Sequence, residues 1–307
     1  MVVRTAAAAA ALVSAGLLAA CSSASGAPTA PGGGVVAVGA ENEYANVIGQ
    51  IGGKYVRVAA ILSNPTTDPH SFESSPSVSQ TVSAAKLVVQ NGVGYDAWIN
   101  KIEAATPNPD RKVIDVQTLL HLPDSAPNPH LWYAPSTMPA VAKAIATDLA
   151  ALMPAHAAVF RANLAKFNAS LRPWHRALAH FKAAYPGAAV ATTEPVGDYM
   201  LQAAGARNLT PFTLQRDIMI GVDPSPQDVS LESNLFSGGK VRAFLYNEQV
   251  TSPLTQSFLG LARKYGIPVV ALYETMPARG YNYQSWMLAE VRALQRAVAG
   301  KVTTSRL

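Results

Sequence analysis

Cys21 is the only cysteine in 307 residues, so no internal disulfide can staple this chain. Charge is scarce too: 14% of residues are charged against 49% hydrophobic, a balance that excludes an intrinsically disordered protein. Basic residues outnumber acidic ones only slightly, 24 Lys+Arg to 19 Asp+Glu, and they form no run and no aromatic-interleaved patch. The net charge of +5 therefore describes a solvated surface, not a nucleic-acid-binding face. The chain has no H-E-x-x-H, no nucleophile elbow and no phosphate-cradling glycine loop, which argues against the familiar hydrolase and nucleotide-binding chemistries. No stretch is apolar for long enough to span a bilayer comfortably.

The N-terminus is unlike the rest. Arg4 precedes a wholly uncharged stretch, residues 5–20, which has the make-up of a signal-peptide apolar region. Leu18-Ala19-Ala20-Cys21 is similar to a bacterial lipobox, in which cleavage before the cysteine frees its thiol to carry a lipid. The Ser/Ala/Pro/Gly-rich stretch that follows has no periodicity and reads as a tether. Residues 1–20 are thus expected to be a lipoprotein signal peptide and 21–34 a flexible tether. Cys21 is the expected lipidation site, holding the protein on the extracytoplasmic face of a cell membrane.

From residue 35 onward, β-branched runs alternate with amphipathic segments. Strands are expected at 35–38, 56–62, 87–90, 112–116, 188–193, 241–246 and 267–272, with helices between them. Such alternation calls for parallel sheets covered on both faces, hence an α/β fold of two lobes, residues 35–153 and 187–307. Between them, Phe160, Leu164, Phe167, Leu171, Trp174, Leu178, Phe181 and Tyr185 repeat every three or four residues. That stripe predicts a linking helix over 154–186, roughly 45 Å long. Pro173 interrupts it and predicts either a kink or two helices nearly end to end. His156, His175 and His180 fall off the stripe and have no partner at ligand spacing, so they read as helix-surface residues.

Four segments place a metal-competent side chain where a strand or loop ends. They are Thr67-Asp68-Pro69-His70, Asn128-Pro129-His130, Thr193-Glu194-Pro195 and Tyr273-Glu274-Thr275. Open α/β sheets bind ligands at the carboxyl ends of their strands. Two neutral imidazoles and two carboxylates balance a divalent ion and suit Zn, Mn or Fe(II). Proline next to His70, His130 and Glu194 restricts the backbone that presents each donor. Glu248, which ends the neighbouring strand, competes with Glu274 for the fourth position.

Several of these segments also carry a resemblance. The stretch 63–73 around Asp68-Pro69-His70, the stretch 87–98 with Asn91-Gly92-Val93-Gly94-Tyr95-Asp96, and Asn128-Pro129-His130-Leu131-Trp132-Tyr133 resemble the cluster A-I zinc and manganese receptors of ABC importers. The likeness runs from about residue 35 to 299. It implies two α/β lobes joined by one long helix, an ion buried between them, an ABC permease as partner, a monomer and no enzymatic activity. Motif for motif, it implies His70, His130, Glu194 and Glu274 as the metal ligands. Two departures stand out. The family usually has Asp where this chain has Glu274, and the loop 122–129 lacks the His-rich insertion common in zinc receptors. A metal-dependent hydrolase and an adhesin-like lipoprotein are the competing readings.

Overall fold

The computed structural model describes residues 1–2, 34–66, 68–277 and 280–307. Most of the expected signal peptide and of the expected tether, including Cys21, lies outside the described residues.

In the first half, β1 (Val35–Glu41) leads into α1 (Asn42–Gly52), and β2 (Val56–Leu62) is followed by α2 (Pro76–Ala84). Then come β3 (Leu87–Gln90), α3 (Ala97–Ala105), β4 (Lys112–Asp115), the short α4 (Val116–Leu119) and α5 (Thr137–Leu152). All strand pairs are parallel, in the order β2-β1-β3-β4. β3 sits inside this sheet and is buried at every position, as the run Leu-Val-Val-Gln requires.

The second half repeats the plan. Its elements are β5 (Ala189–Thr192), α8 (Asp198–Ala203), β6 (Arg207–Asn208), α9 (Phe212–Met219), α10 (Pro226–Ser237), β7 (Ala243–Asn247), α11 (Pro253–Lys264), β8 (Val269–Leu272) and α12 (Tyr283–Gly300). Their order, β6-β5-β7-β8, matches the first sheet strand for strand. In each sheet the chain leaves the first strand in both directions. This creates a topological switch point between β1 and β3, and another between β5 and β7. The C-terminal tail finishes the second sheet: Thr304 exchanges backbone hydrogen bonds with Val269 and Ala271 and covers the edge of β8.

Local chemistry starts the helices. Ser75, Ser225 and Ser252 each cap a helix whose first residue is proline. The serine oxygen accepts an otherwise orphaned N–H, and proline has none to leave unsatisfied. Each cap is worth about 1 kcal/mol.

Two consecutive helices, α6 (Ala157–Ser170) and α7 (Arg172–Ala184), carry the apolar stripe between the sheets. Pro173 occupies the first turn of α7, where a missing N–H costs little. Leu171 keeps right-handed helical dihedrals (φ −76°, ψ −16°), and His175 N donates to its carbonyl at 3.1 Å. The interruption is therefore local, and it takes the second of the two expected forms. Phe160, Phe167, Leu171, Trp174, Leu178 and Phe181 are buried in one core that also contains residues of both sheets, α1, α5 and α12. His175 and His180 are exposed, whereas His156 stacks on Tyr55 at 4.0 Å and is half-buried.

Candidate metal centre

His70 follows β2 in a one-turn 3-10 helix, Pro69–Ser71. The Asp68 carboxylate caps that turn by accepting the His70 N–H at 2.8 Å. The His130 ring is set by Asn128. One amide oxygen, Asn128 Oδ1, accepts both the His130 backbone N–H (3.0 Å) and Nδ1–H (2.8 Å). The Asn128 amide cannot be turned around, because its Nδ2 donates to the Pro195 carbonyl at 2.7 Å. His130 therefore carries its proton on Nδ1 and presents the Nε2 lone pair inward. Asn91 Nδ2 holds the Pro129 carbonyl at 2.8 Å from the other side.

Glu274 follows β8 and is clamped by the end of β7. Gln249 Oε1 accepts the backbone N–H groups of Glu274 (2.7 Å) and Thr275 (3.0 Å). Glu274 Oε2 lies 3.1 Å from His70 Nε2, 3.2 Å from His130 Nε2 and 3.0 Å from the Tyr95 hydroxyl, which donates to it. These three donor atoms, from His70, His130 and Glu274, lie within 4.8 Å of one another. Glu194, just after β5, stands outside this triad but is tied to it: Asn247 Nδ2 donates to both Glu274 Oε1 (2.6 Å) and Glu194 Oε1 (3.2 Å). Glu248 does not join them. It lines a separate cavity with Arg263 and Arg306.

The Tyr95 ring packs edge-on against both His70 and His130. An unusual loop delivers it. Gly92, Val93 and Gly94 all have positive φ (77°, 53° and 75°), a conformation a β-branched residue rarely adopts. Asp96 accepts the N–H groups of Asn91 and Gly92, and Gln117 that of Val93. A side chain at Gly92 would meet Gln117 Cβ at 2.6 Å.

The electrostatics favour a cation. Glu41, Glu43, Asp96, Glu194 and Glu274 are all buried, whereas no Lys or Arg is buried among the described residues. Burial pushes the Glu194 carboxyl well up, and the neighbouring Glu274 charge adds to it. Glu274 is itself held low: burial would raise it, but the two histidines outweigh burial. Burial draws His130 down despite Glu274, so it stays neutral. For His70 burial acts the same way, yet the Glu274 carboxylate more than offsets it and leaves His70 raised. Glu194 Oε2 is buried without a hydrogen-bond partner among the described residues. Unused lone pairs of this kind are costly unless something fills the gap. A divalent ion fits: two imidazole nitrogens and two carboxylates match the donor chemistry of first-row transition metals.

Comparison with known proteins gives the fold its family. The family model described as zinc-uptake complex component A, periplasmic (ZnuA), matches residues 38–297. This chain belongs to the ZnuA family. Its relatives are solute-binding receptors for metal ions, which work outside the cytoplasm. A metal-binding protein of Thermotoga maritima is 33% identical over 94 residues, 31% of this chain and 33% of that relative's length. Three solved structures share the fold. A ZnuA crystal structure has TM-score 0.72 at 22% identity, covering 87% of this chain and all of that one. The periplasmic zinc-binding protein TroA of Treponema pallidum has TM-score 0.73 at 15% identity, covering 88% of this chain and all of its own. The solute-binding protein FpvC of P. aeruginosa, in complex with nickel, has TM-score 0.70 at 20% identity over 88% of this chain and 99% of its own.

Sequence reasoning did not single out Asn247, Gln249 and Tyr95. Asn247 and Gln249 flank Glu248 at the end of β7, and strand alternation alone would have aimed them opposite to it. Tyr95 stood in a quoted motif, but only its loop's folding brings it to Glu274, 179 positions away.

Proposed function

We propose that this chain is an extracytoplasmic receptor that binds one divalent transition-metal ion through His70, His130, Glu194 and Glu274 and delivers it to an ABC permease. The observation that carries the reading is the convergence of two imidazole nitrogens on one Glu274 oxygen, beside a second buried carboxylate with an unused oxygen. His70 and His130 come from the first half of the chain, Glu194 and Glu274 from the second, so the ion ties the halves together. Binding competes with protons at these donors, since the Glu274 carboxylate raises His70 against its burial and burial raises Glu194. A lipid on Cys21 would keep the receptor near its permease, and no helix among the described residues is long and apolar enough to cross a membrane.

A shared core and several bonds between the halves limit the movement that accompanies binding. Asn128 reaches the Pro195 carbonyl, Tyr133 the Tyr273 carbonyl, and Tyr283 the Trp132 carbonyl at 2.6 Å. A small hinge or shear adjustment therefore suffices.

Metal-free protein titrated with zinc, manganese or nickel is expected to gain thermal stability, by roughly 2.7 kcal/mol at a hundredfold excess over Kd. No change in melting temperature with any of the three would sink the reading. Glu274→Ala is expected to lower metal affinity at least about tenfold. Glu248→Ala should leave it unchanged by calorimetry, because Glu248 faces a different cavity; the reverse pattern would give Glu248 the fourth position.

A further inference from the structure

Asn247 does more than fill space beside the two glutamates. Its backbone is fixed by the Thr193 hydroxyl, which accepts the Asn247 N–H at 3.0 Å. Its amide is fixed as well: Oδ1 accepts the Gln249 N–H at 3.0 Å, so Nδ2 must face the carboxylates. The two Nδ2 hydrogens then go to one oxygen of each acid, Glu274 Oε1 at 2.6 Å and Glu194 Oε1 at 3.2 Å. Each glutamate keeps one oxygen for a ligand. For Glu274 it is Oε2, which faces the histidines; for Glu194 it is Oε2, which has no partner among the described residues.

We infer that Asn247 is a positioning residue that restrains both glutamates to one-oxygen coordination and so tunes the site toward a four-coordinate ion such as zinc and against manganese. Two imidazole nitrogens and two single carboxylate oxygens make four donors, the number that zinc takes in tetrahedral sites. Manganese favours a larger, oxygen-rich shell, which the same residues could supply only if a glutamate turned both oxygens inward. With Oε1 of each acid committed to the amide, that expansion costs a short hydrogen bond. The amide also lets two buried carboxylates approach one another, since its partial positive charge lies between them. Nearly every site of nitrogen and oxygen donors binds zinc more tightly than manganese, so the preference itself is no evidence. What isolates Asn247 is how the preference changes when its amide is removed.

The inference rests on the receptor reading above, and the experiment separates the two. Zinc and manganese affinities are measured by chelator competition for the full chain, for Asn247→Ala and for Asn247→Ser. The serine variant keeps a polar strand end but is too short to reach both acids. Visible absorption of the cobalt(II)-loaded proteins reports coordination number, because four-coordinate cobalt absorbs far more intensely than five- or six-coordinate cobalt. Expected are intense bands for the parent and weakened bands for both variants. Zinc affinity should fall within the roughly 10- to 100-fold usual for loss of an outer-shell partner and manganese affinity much less, so that the zinc-to-manganese ratio falls about tenfold or more. An unchanged ratio with an unchanged cobalt spectrum in whichever variant folds would overturn the role of Asn247 and leave the receptor standing. A parent that binds none of the three metals would overturn the receptor itself. A uniform loss of zinc and manganese affinity with an unchanged cobalt spectrum would mean that Asn247 only supports the fold, and that too would overturn the inference.

Discussion

Alanine in place of His130 is expected to lower metal affinity by at least about 100-fold and to erase the metal-induced rise in melting temperature. His130 is fully buried, and its Nε2 is the lone pair that Asn128 aims at Glu274. Of its ring neighbours, His70 already holds its own place in the proposed set, and Tyr95 and Trp132 offer no comparable metal donor. The loss also removes a fully buried ring that packs on Tyr95 and Trp132, so the cavity left behind should make the metal-free variant less stable than its parent. Replacing the exposed His175 the same way should change neither quantity. Calorimetry against a competing chelator measures the first effect and a thermal melt the second. Retained tight binding by the His130 variant would remove this residue from the ligand set.

Glutamine in place of Glu290 should stabilise the protein, and increasingly so as pH rises from 5 to 8. Glu290 lies on α12, fully buried, and its Oε1 meets Trp286 Nε1 at 3.0 Å and the Tyr133 hydroxyl at 3.2 Å. Burial pushes its pKa from the ordinary glutamate range up to about 8. The Tyr133 proton is already engaged by the Tyr273 carbonyl at 2.8 Å, so a protonated Glu290 is the better partner for that oxygen. An unfolded glutamate ionises near 4.5, the folded one near 8. Between these values the folded state holds a proton that the unfolded state has lost, so stability falls with rising pH and levels off above 8. Glutamine keeps an acceptor for Trp286 and carries no charge, which removes that dependence. The gain over the parent should be small at pH 5 and roughly 2–5 kcal/mol at pH 8, read from urea unfolding at both. Glu232 is also raised to about 8, so the comparison must be made with the parent at each pH. A gain that does not vary with pH would show that Glu290 is ionised in the folded protein.

Much of the fold was legible because its signals are local. Strand 56–62 and strand 87–90 are read to the residue, since β-branched runs bounded by turns leave little choice. The stripe from Phe160 to Phe181 announces a buried helical face, and Pro173 announces its interruption. The region 205–240 was harder. β6 is two residues long, and α9 and α10 bury only part of a weakly patterned face.

At the site, the sequence by itself determined which residue types stand at the strand ends: His70, His130, Glu194 and Glu274, each set by proline or a turn. Spacing along the chain could not choose between Glu274 and Glu248, because both follow a strand of the same sheet. In the tertiary structure Glu274 lies within 3.1–3.2 Å of both histidines, whereas Glu248 lines a cavity with Arg263 and Arg306, and this geometry is what favours Glu274 in the proposed site. The tertiary structure also supplies the hydrogen-bond partners of these groups: Asn128 for His130, and Asn247 and Tyr95, from other parts of the chain, for Glu274. The reason is physical. A ligand's identity is written in one residue, but its orientation and charge depend on hydrogen bonds and burial supplied by residues dozens to hundreds of positions away.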